Sequence, residues 1–229
     1  MYQFASFVFL LGFLFLISVI TGFLPLGEPP MLVGQVIQNN AASETGASNF
    51  VTSVVLGYRG IDTLGELSIL FAAATAGSLV LSGLKQKSIE SGDAGFLVKS
   101  ASELFFPLLI VVGLYIVLHG HLTPGGGFQG GVILAAAFFL PLLAKPSKSI
   151  NSLALGLIEG LSGAAFIIIG LIALFNEGAF LKPFFENGEL GSLISSGTLP
   201  LLYIAVGLKV GAELASLLNL LNQEEVNDS

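Results

Sequence analysis

The chain has 229 residues, of which 54% are hydrophobic and 10% charged. A soluble domain carries roughly a quarter charged residues, so this composition, with a mean hydropathy of +0.91, excludes a water-covered globular surface and describes an integral membrane protein. A net charge of −7 with eight Lys+Arg excludes a nucleic-acid binder, and the lack of Cys excludes a disulfide scaffold or a thiolate metal centre.

Six apolar segments follow in chain order: Phe4–Leu24, Ile61–Leu81, Leu104–Leu118, Phe128–Ala144, Ser152–Phe175 and Thr198–Leu221. Four are long enough to cross a ~30 Å hydrocarbon layer as helices rising ~1.5 Å per residue. The third and fourth are shorter, and the Gly/Pro run between them either extends them or caps them as broken helices. The two-residue alternation of a membrane barrel is absent. The expected fold is all-α, an integral membrane bundle of about six transmembrane helices. The first segment has no preceding Lys or Arg and no A-x-A site, and reads as a retained helix.

The mixed-charge stretch Lys85–Lys99 divides the chain. Residues 1–84 form a two-helix module, residues 85–99 a cytoplasmic linker, and residues 100–229 a four-helix module with a short acidic tail. Pro25–Asn49 has no Lys or Arg and reads as a long external loop. Lys85, Lys87, Lys99, Lys145 and Lys148 fall on one side, which the positive-inside rule makes cytoplasmic. An even number of spans then puts both termini inside, in the cell membrane.

An ionisable side chain at membrane depth is costly, so each one is a candidate functional group. The run Tyr58, Arg59, Asp62 and Glu66 occupies successive helical turns, with Arg59, Asp62 and Glu66 able to share one stripe. Such a stripe can relay a proton or coordinate a hard cation through oxygen. The alternative is a helix-end ion pair that reaches back to the interface. Lys209 and Glu213 are four apart near the middle of the last segment, and Glu159 lies at similar depth on the fifth. If these faces meet, a desolvated lysine between carboxylates suits proton transfer, whereas a static ion pair would only lock the helices.

The run His119–Gly131 includes His119, His121, Thr123, Pro124, Gly125, Gly126, Gly127, Phe128 and Gln129. Irregular backbone at membrane depth is allowed where it is buried in protein or lines a cavity, and its carbonyls, with Thr123 and Gln129, are candidate cation ligands. The two histidines, two residues apart with no nearby acid, suit hydrogen bonding or proton exchange better than a metal site. Substituting Gly125, Gly126 or Gly127 by Ala is expected to be worse than at Gly156 or Gly170, which sit in ordinary helices.

On these residues the chain resembles the Mrp-type multisubunit Na⁺/H⁺ antiporters. Pro124 to Gly131 match the PGGGFxGG signature of the four-helix B subunit, and Arg59, Gly60, Asp62, Thr63, Gly65 and Glu66 match an R-G-x-D-T-x-G-E run at the C-terminal end of the A subunit. The same modules recur in membrane-bound ferredoxin-linked hydrogenases. The resemblance covers about Gly27 to Leu221, and departs from the antiporters in fusing the two modules in one chain. It implies a subunit of a larger complex that exchanges Na⁺ and H⁺, with Glu66 on the cation path. The implied partners are other antiporter-type subunits and a hydrogenase or ferredoxin-oxidising module. No cofactor signature occurs in the chain, so redox chemistry would belong to a partner. A self-contained cation carrier and a structural scaffold are the alternatives.

Overall fold

The computed structural model describes residues 2–23, 31–82, 94–145 and 149–226. Within them the chain is helical, in the order α1 Tyr2–Phe23, α2 Leu32–Thr45, the short α3 Phe50–Thr52 running into a π-helical stretch Ser53–Tyr58, α4 Gly60–Ser82, α5 Phe96–Leu118, α6 Gly127–Ala144, α7 Ser152–Glu177 and α8 Leu199–Val226. Among the described residues six helices (α1 and α4 to α8) are long and apolar enough to cross a membrane.

The chain divides into residues 1–39 and 40–229. In the first unit α1 is apolar around its circumference. Its hydroxyls bond within the helix, Ser18 to the Leu14 carbonyl and Thr21 to that of Ile17, both at 2.9 Å. A lipid-facing helix must satisfy its polar groups in this way.

The second unit is organised on α8, which packs against α4, α5, α6 and α7. Leu202, Tyr203, Val206 and Val210 are buried along it, with Phe166 of α7 and Leu56 of the π-helical stretch completing the core. α7 starts at Asn151, whose side chain accepts from the Leu153 and Ala154 N–H groups, and stops at Gly178 in the left-handed conformation. Asn219 of α8 accepts from the Ile150 N–H at 2.9 Å and donates to its carbonyl at 3.0 Å, which ties the end of α8 to the start of α7.

Three sequence expectations change. The third apolar segment is a full-length helix: α5 begins at Phe96, so Lys99 lies inside it rather than in the linker, and Glu103 inside it rather than before it. Long charged side chains in the first turns of a helix can reach the interface, so their charge does not end the span. Pro25–Asn49 is not a continuous loop, because α2 occupies Leu32–Thr45. Gly170 is not an ordinary helix position, since a Cβ there would meet the Phe180 ring. The linker expected over 85–99 lies outside the described residues up to Asp93, as do Lys148 and the last three residues of the acidic tail.

Candidate functional site

Lys209 sits in the interior of the apolar part of α8, Leu199–Asn222. At ~1.5 Å per residue it is about 15 Å from one end and about 20 Å from the other. Its Nζ is 3.0 Å from Glu213 Oε2 and 3.7 Å from Glu159 Oε1 of α7, and 5.1 Å from the centroid of the Phe71 ring of α4. Lys209 is 8% exposed and Glu213 3%. Gly163, one turn beyond Glu159, faces the lysine stem, and a Cβ there would make ordinary contact with Cδ at 3.5 Å. The faces of α7 and α8 therefore meet, and the three charges form one cluster.

One lysine faces two carboxylates, so the fully ionised cluster carries a net negative charge in a region that penalises charge. Glu213 Oε1 is buried without a hydrogen-bond partner among the described residues. A proton bound there would both neutralise the excess and convert an orphan acceptor into a potential donor.

The acids of α4 are arranged differently. Arg59 Nη2 pairs with Asp62 Oδ2 at 2.5 Å, with both side chains largely exposed. Glu66 is exposed, one turn before Leu70, which with Leu64 and Leu67 packs on the core. Among the described residues it makes no ion pair or hydrogen bond. Arg59 and Asp62 of the expected stripe meet, with Glu66 one turn further along α4, whereas Tyr58 falls outside it, because the π-helical stretch ends at Tyr58 and α4 restarts at Gly60 with Arg59 at the junction. Tyr58 instead donates to Glu44 Oε2 at 2.5 Å. Burial, with Glu44 beside it, pushes the Tyr58 phenol up to about 12.

The glycine run is built for close packing. α6 enters at Gly126, whose φ of 141° favours glycine. A Cβ on Gly127 would lie 2.6 Å from Val206 Cβ and 2.8 Å from the Tyr203 carbonyl, and one on Gly131 2.8 Å from Val210 Cβ. Gly130 meets Val117 of α5 in the same way. Phe128 packs on the core, while Gln129 and Pro124 are exposed. Several carbonyls of the run already have partners: Asn49 Nδ2 donates to Gly120 O at 2.7 Å and to Thr123 O at 2.9 Å. Asn49 N–H donates to His121 O at 3.0 Å. Thr52 Oγ1 donates to Gly120 O at 2.6 Å and lies 2.7 Å from the Tyr203 hydroxyl.

The histidines separate. His119 stacks on Tyr115, with ring centroids 4.1 Å apart. His121 is fully buried, and burial lowers its pKa, partly offset by the backbone of Ser192 and Leu193. The sequence reading missed Asn49, Thr52 and Tyr203 as the residues that hold this loop. Asn49 carried the one available signal, an N-cap residue ahead of an apolar run.

A model of a domain related to the MnhB subunit of Na⁺/H⁺ antiporters matches residues 97–216, more than half of the chain. The chain belongs to this family. A Methanocaldococcus jannaschii protein of uncharacterised function is 35% identical over 78% of each chain. A probable A/B subunit of a K⁺/H⁺ antiporter from Rhizobium meliloti is 25% identical over 52% of this chain, which spans 14% of that protein's length. Among solved structures, a chain of the membrane-bound sulfane sulfur reductase, an archaeal respiratory membrane complex, superposes with a TM-score of 0.82 at 34% identity, covering 96% of this chain and 97% of that one. A chain of the Mrp complex from Dietzia sp. DQ12-45-1b shares the fold, with a TM-score of 0.76 at 23% identity over 98% of this chain and 26% of its own. The chain is thus a membrane subunit of the kind found in Mrp-type antiporter-like complexes and related respiratory membrane complexes.

Proposed function

We propose that this protein contributes part of a Na⁺ or H⁺ path in such a complex. Glu159, Lys209 and Glu213 hold and pass a proton inside the α7–α8 pair, and Glu66 is offered to an adjoining antiporter-type subunit. The observation that carries the reading is the excess carboxylate around a buried lysine, with Glu213 Oε1 left open to bind a proton. The driving force is a proton gradient, or ferredoxin oxidation by a hydrogenase-type module in a partner. Asp62 and Arg59 flank the Glu66 end. The lysine-bearing ends of α5 and α6 face the cytoplasm, with both termini on that side.

The test is the double variant Lys209→Met/Glu213→Gln in the assembled complex, read by thermal stability and ion flux together. Removing both charges relieves the uncompensated burial that either single change creates. Restored stability with flux still lost supports the path. Recovery of both would reduce the cluster to a static lock and the whole chain to a scaffold.

A further inference from the structure

We infer that residues 187–196 form a lid over His121 that opens when the imidazole takes up a proton, a response to acid on that side of the membrane. The lid belongs to residues 178–198, the irregular connection between α7 and α8. Irregular connections longer than about 12–15 residues are uncommon in compact domains, and lids are one of their uses.

The feet of the lid are clipped to each other and to the rest of the chain. Ser196 N–H donates to Asn187 O at 2.9 Å. The Asn187 side chain donates to the Ser43 and Glu44 carbonyls at the end of α2, each at 3.3 Å. Ser196 Oγ donates to Gly46 O at 2.9 Å. A surface loop whose ends meet in this way is an Ω-loop. Its backbone is held under strain, since Ser196 carries a side chain at a φ of 70°.

The tip lies on the histidine. The backbone of Ser192 and Leu193 acts on the His121 ring, while the Leu193 and Ile194 side chains are exposed. His121 is fully buried, and neither ring nitrogen completes a hydrogen bond among the described residues. The strand of chain that carries the ring is fixed, because Asn49 donates to the carbonyls of Gly120, His121 and Thr123. The lid is therefore the part that can yield. A neutral imidazole already leaves one donor and one acceptor unmet there, and a proton adds a second donor and a buried charge. Lifting the lid gives both N–H groups to water.

The surrounding charges do not rescue the closed form. His119 disfavours the proton, and the tip backbone favours it by less than burial costs. The elements packed there also carry Glu44, Lys182, Glu186 and Glu189, and none of these acts on the ring. The closed form thus binds the proton less tightly than the open one. Its stability is fully present above the ordinary histidine value of 6.5 and is lost as the pH falls below it. One proton shifts the balance by up to about tenfold per pH unit.

The chain has no Cys, so Ile194→Cys carries a single nitroxide on the full-length protein. Its EPR spectrum and the ¹⁵N imidazole shifts are followed together from about pH 8 to 5. The label should be immobile at the alkaline end, with a mobile fraction that rises in a one-proton transition centred below 6.5. His121→Gln should hold the label immobile throughout, whereas His119→Gln and Glu189→Gln should retain the transition. A spectrum that ignores pH would overturn the proposal. So would a transition that survives in His121→Gln or disappears in His119→Gln. Where His121→Gln fails to fold, the unsubstituted histidine decides: an imidazole that titrates with no change at the label also overturns it.

Discussion

Among the described residues, the charged groups of α8 and of α4 are finished to different degrees. On α8, Lys209 is enclosed by Glu213, Glu159 and the Phe71 ring, so its partners all come from this chain. On α4, Glu66 stands exposed beside Gly65, whose missing side chain would meet nothing within 4 Å. A carboxylate left like this against hydrocarbon is expensive, and the small residue next to it leaves space for a close-packed neighbour. The comparison teaches that the first site is complete within the chain, whereas the second becomes a site when another subunit covers it.

Removing one charge from each site separates them most sharply. Lys209→Met leaves two buried carboxylates without their counter-charge, a loss of roughly 3–5 kcal/mol by the precedent of soluble cores. Glu66→Gln in the isolated chain should fall within about 0.5 kcal/mol of the native protein, as exposed substitutions do. Chemical denaturation of the two variants in the same detergent checks this. Comparable destabilisation would mean that Glu66 is supported from within the chain after all.

Steric substitutions probe the same contrast without touching charge. Gly131→Ala pushes a Cβ against Val210 and the Gly207 carbonyl, next to Lys209. Overpacking of this kind costs about 1–3 kcal/mol and should spread α6 from α8. Gly65→Ala should leave the isolated chain unaltered, yet reduce recovery of partner subunits in a pull-down. Unchanged recovery would argue that nothing packs against the Glu66 face.

In the intact complex, Glu66→Gln should abolish sodium-dependent flux while preserving assembly, and Asp62→Asn should weaken flux less, because the Asp62–Arg59 pair is exposed and water can replace it. Native flux in the Glu66→Gln complex would take the carboxylate out of the path.

Much of this was legible from pattern. Long apolar runs give the spans, and the four-residue spacing of Lys209 and Glu213 gives one edge of the buried cluster. Glu159 could be placed by depth, but its facing Lys209 depends on the rotation of α7, which Asn151, Asn219 and the Phe166 core determine through three-dimensional packing. The start of α5 was not legible, since Lys99 and Glu103 look like loop residues until their side chains are allowed to reach the interface. The π-helical stretch was not legible either. It ends at Tyr58, and Arg59 leaves helical geometry before α4 restarts at Gly60, so Tyr58 falls off a stripe drawn at 3.6 residues per turn while Arg59 still reaches Asp62. The glycines were visible as a run, but their use as contact surfaces for Val206 and Val210 required the position of α8.

The smallest expected effect lies at that break in register. Tyr58 turns away from Asp62 and donates to Glu44, which holds the end of α2 to the π-helical stretch. Its folded pKa, about 12, is above the ordinary phenol value of 10.0. Folding therefore favours the protonated phenol. The contribution is fully present below pH 10 and is lost as the pH rises through about 12. Tyr58→Phe should remove that alkaline loss while lowering stability slightly at neutral pH, since an exposed hydrogen bond contributes little. Glu66→Gln should leave the alkaline profile as it is, because Glu66 belongs to the helix beyond the break. Thermal melts of the three proteins across pH 8 to 12.5 decide it. An altered alkaline slope in Glu66→Gln would mean that the junction at Arg59 couples the Glu44 and Glu66 carboxylates across the start of α4.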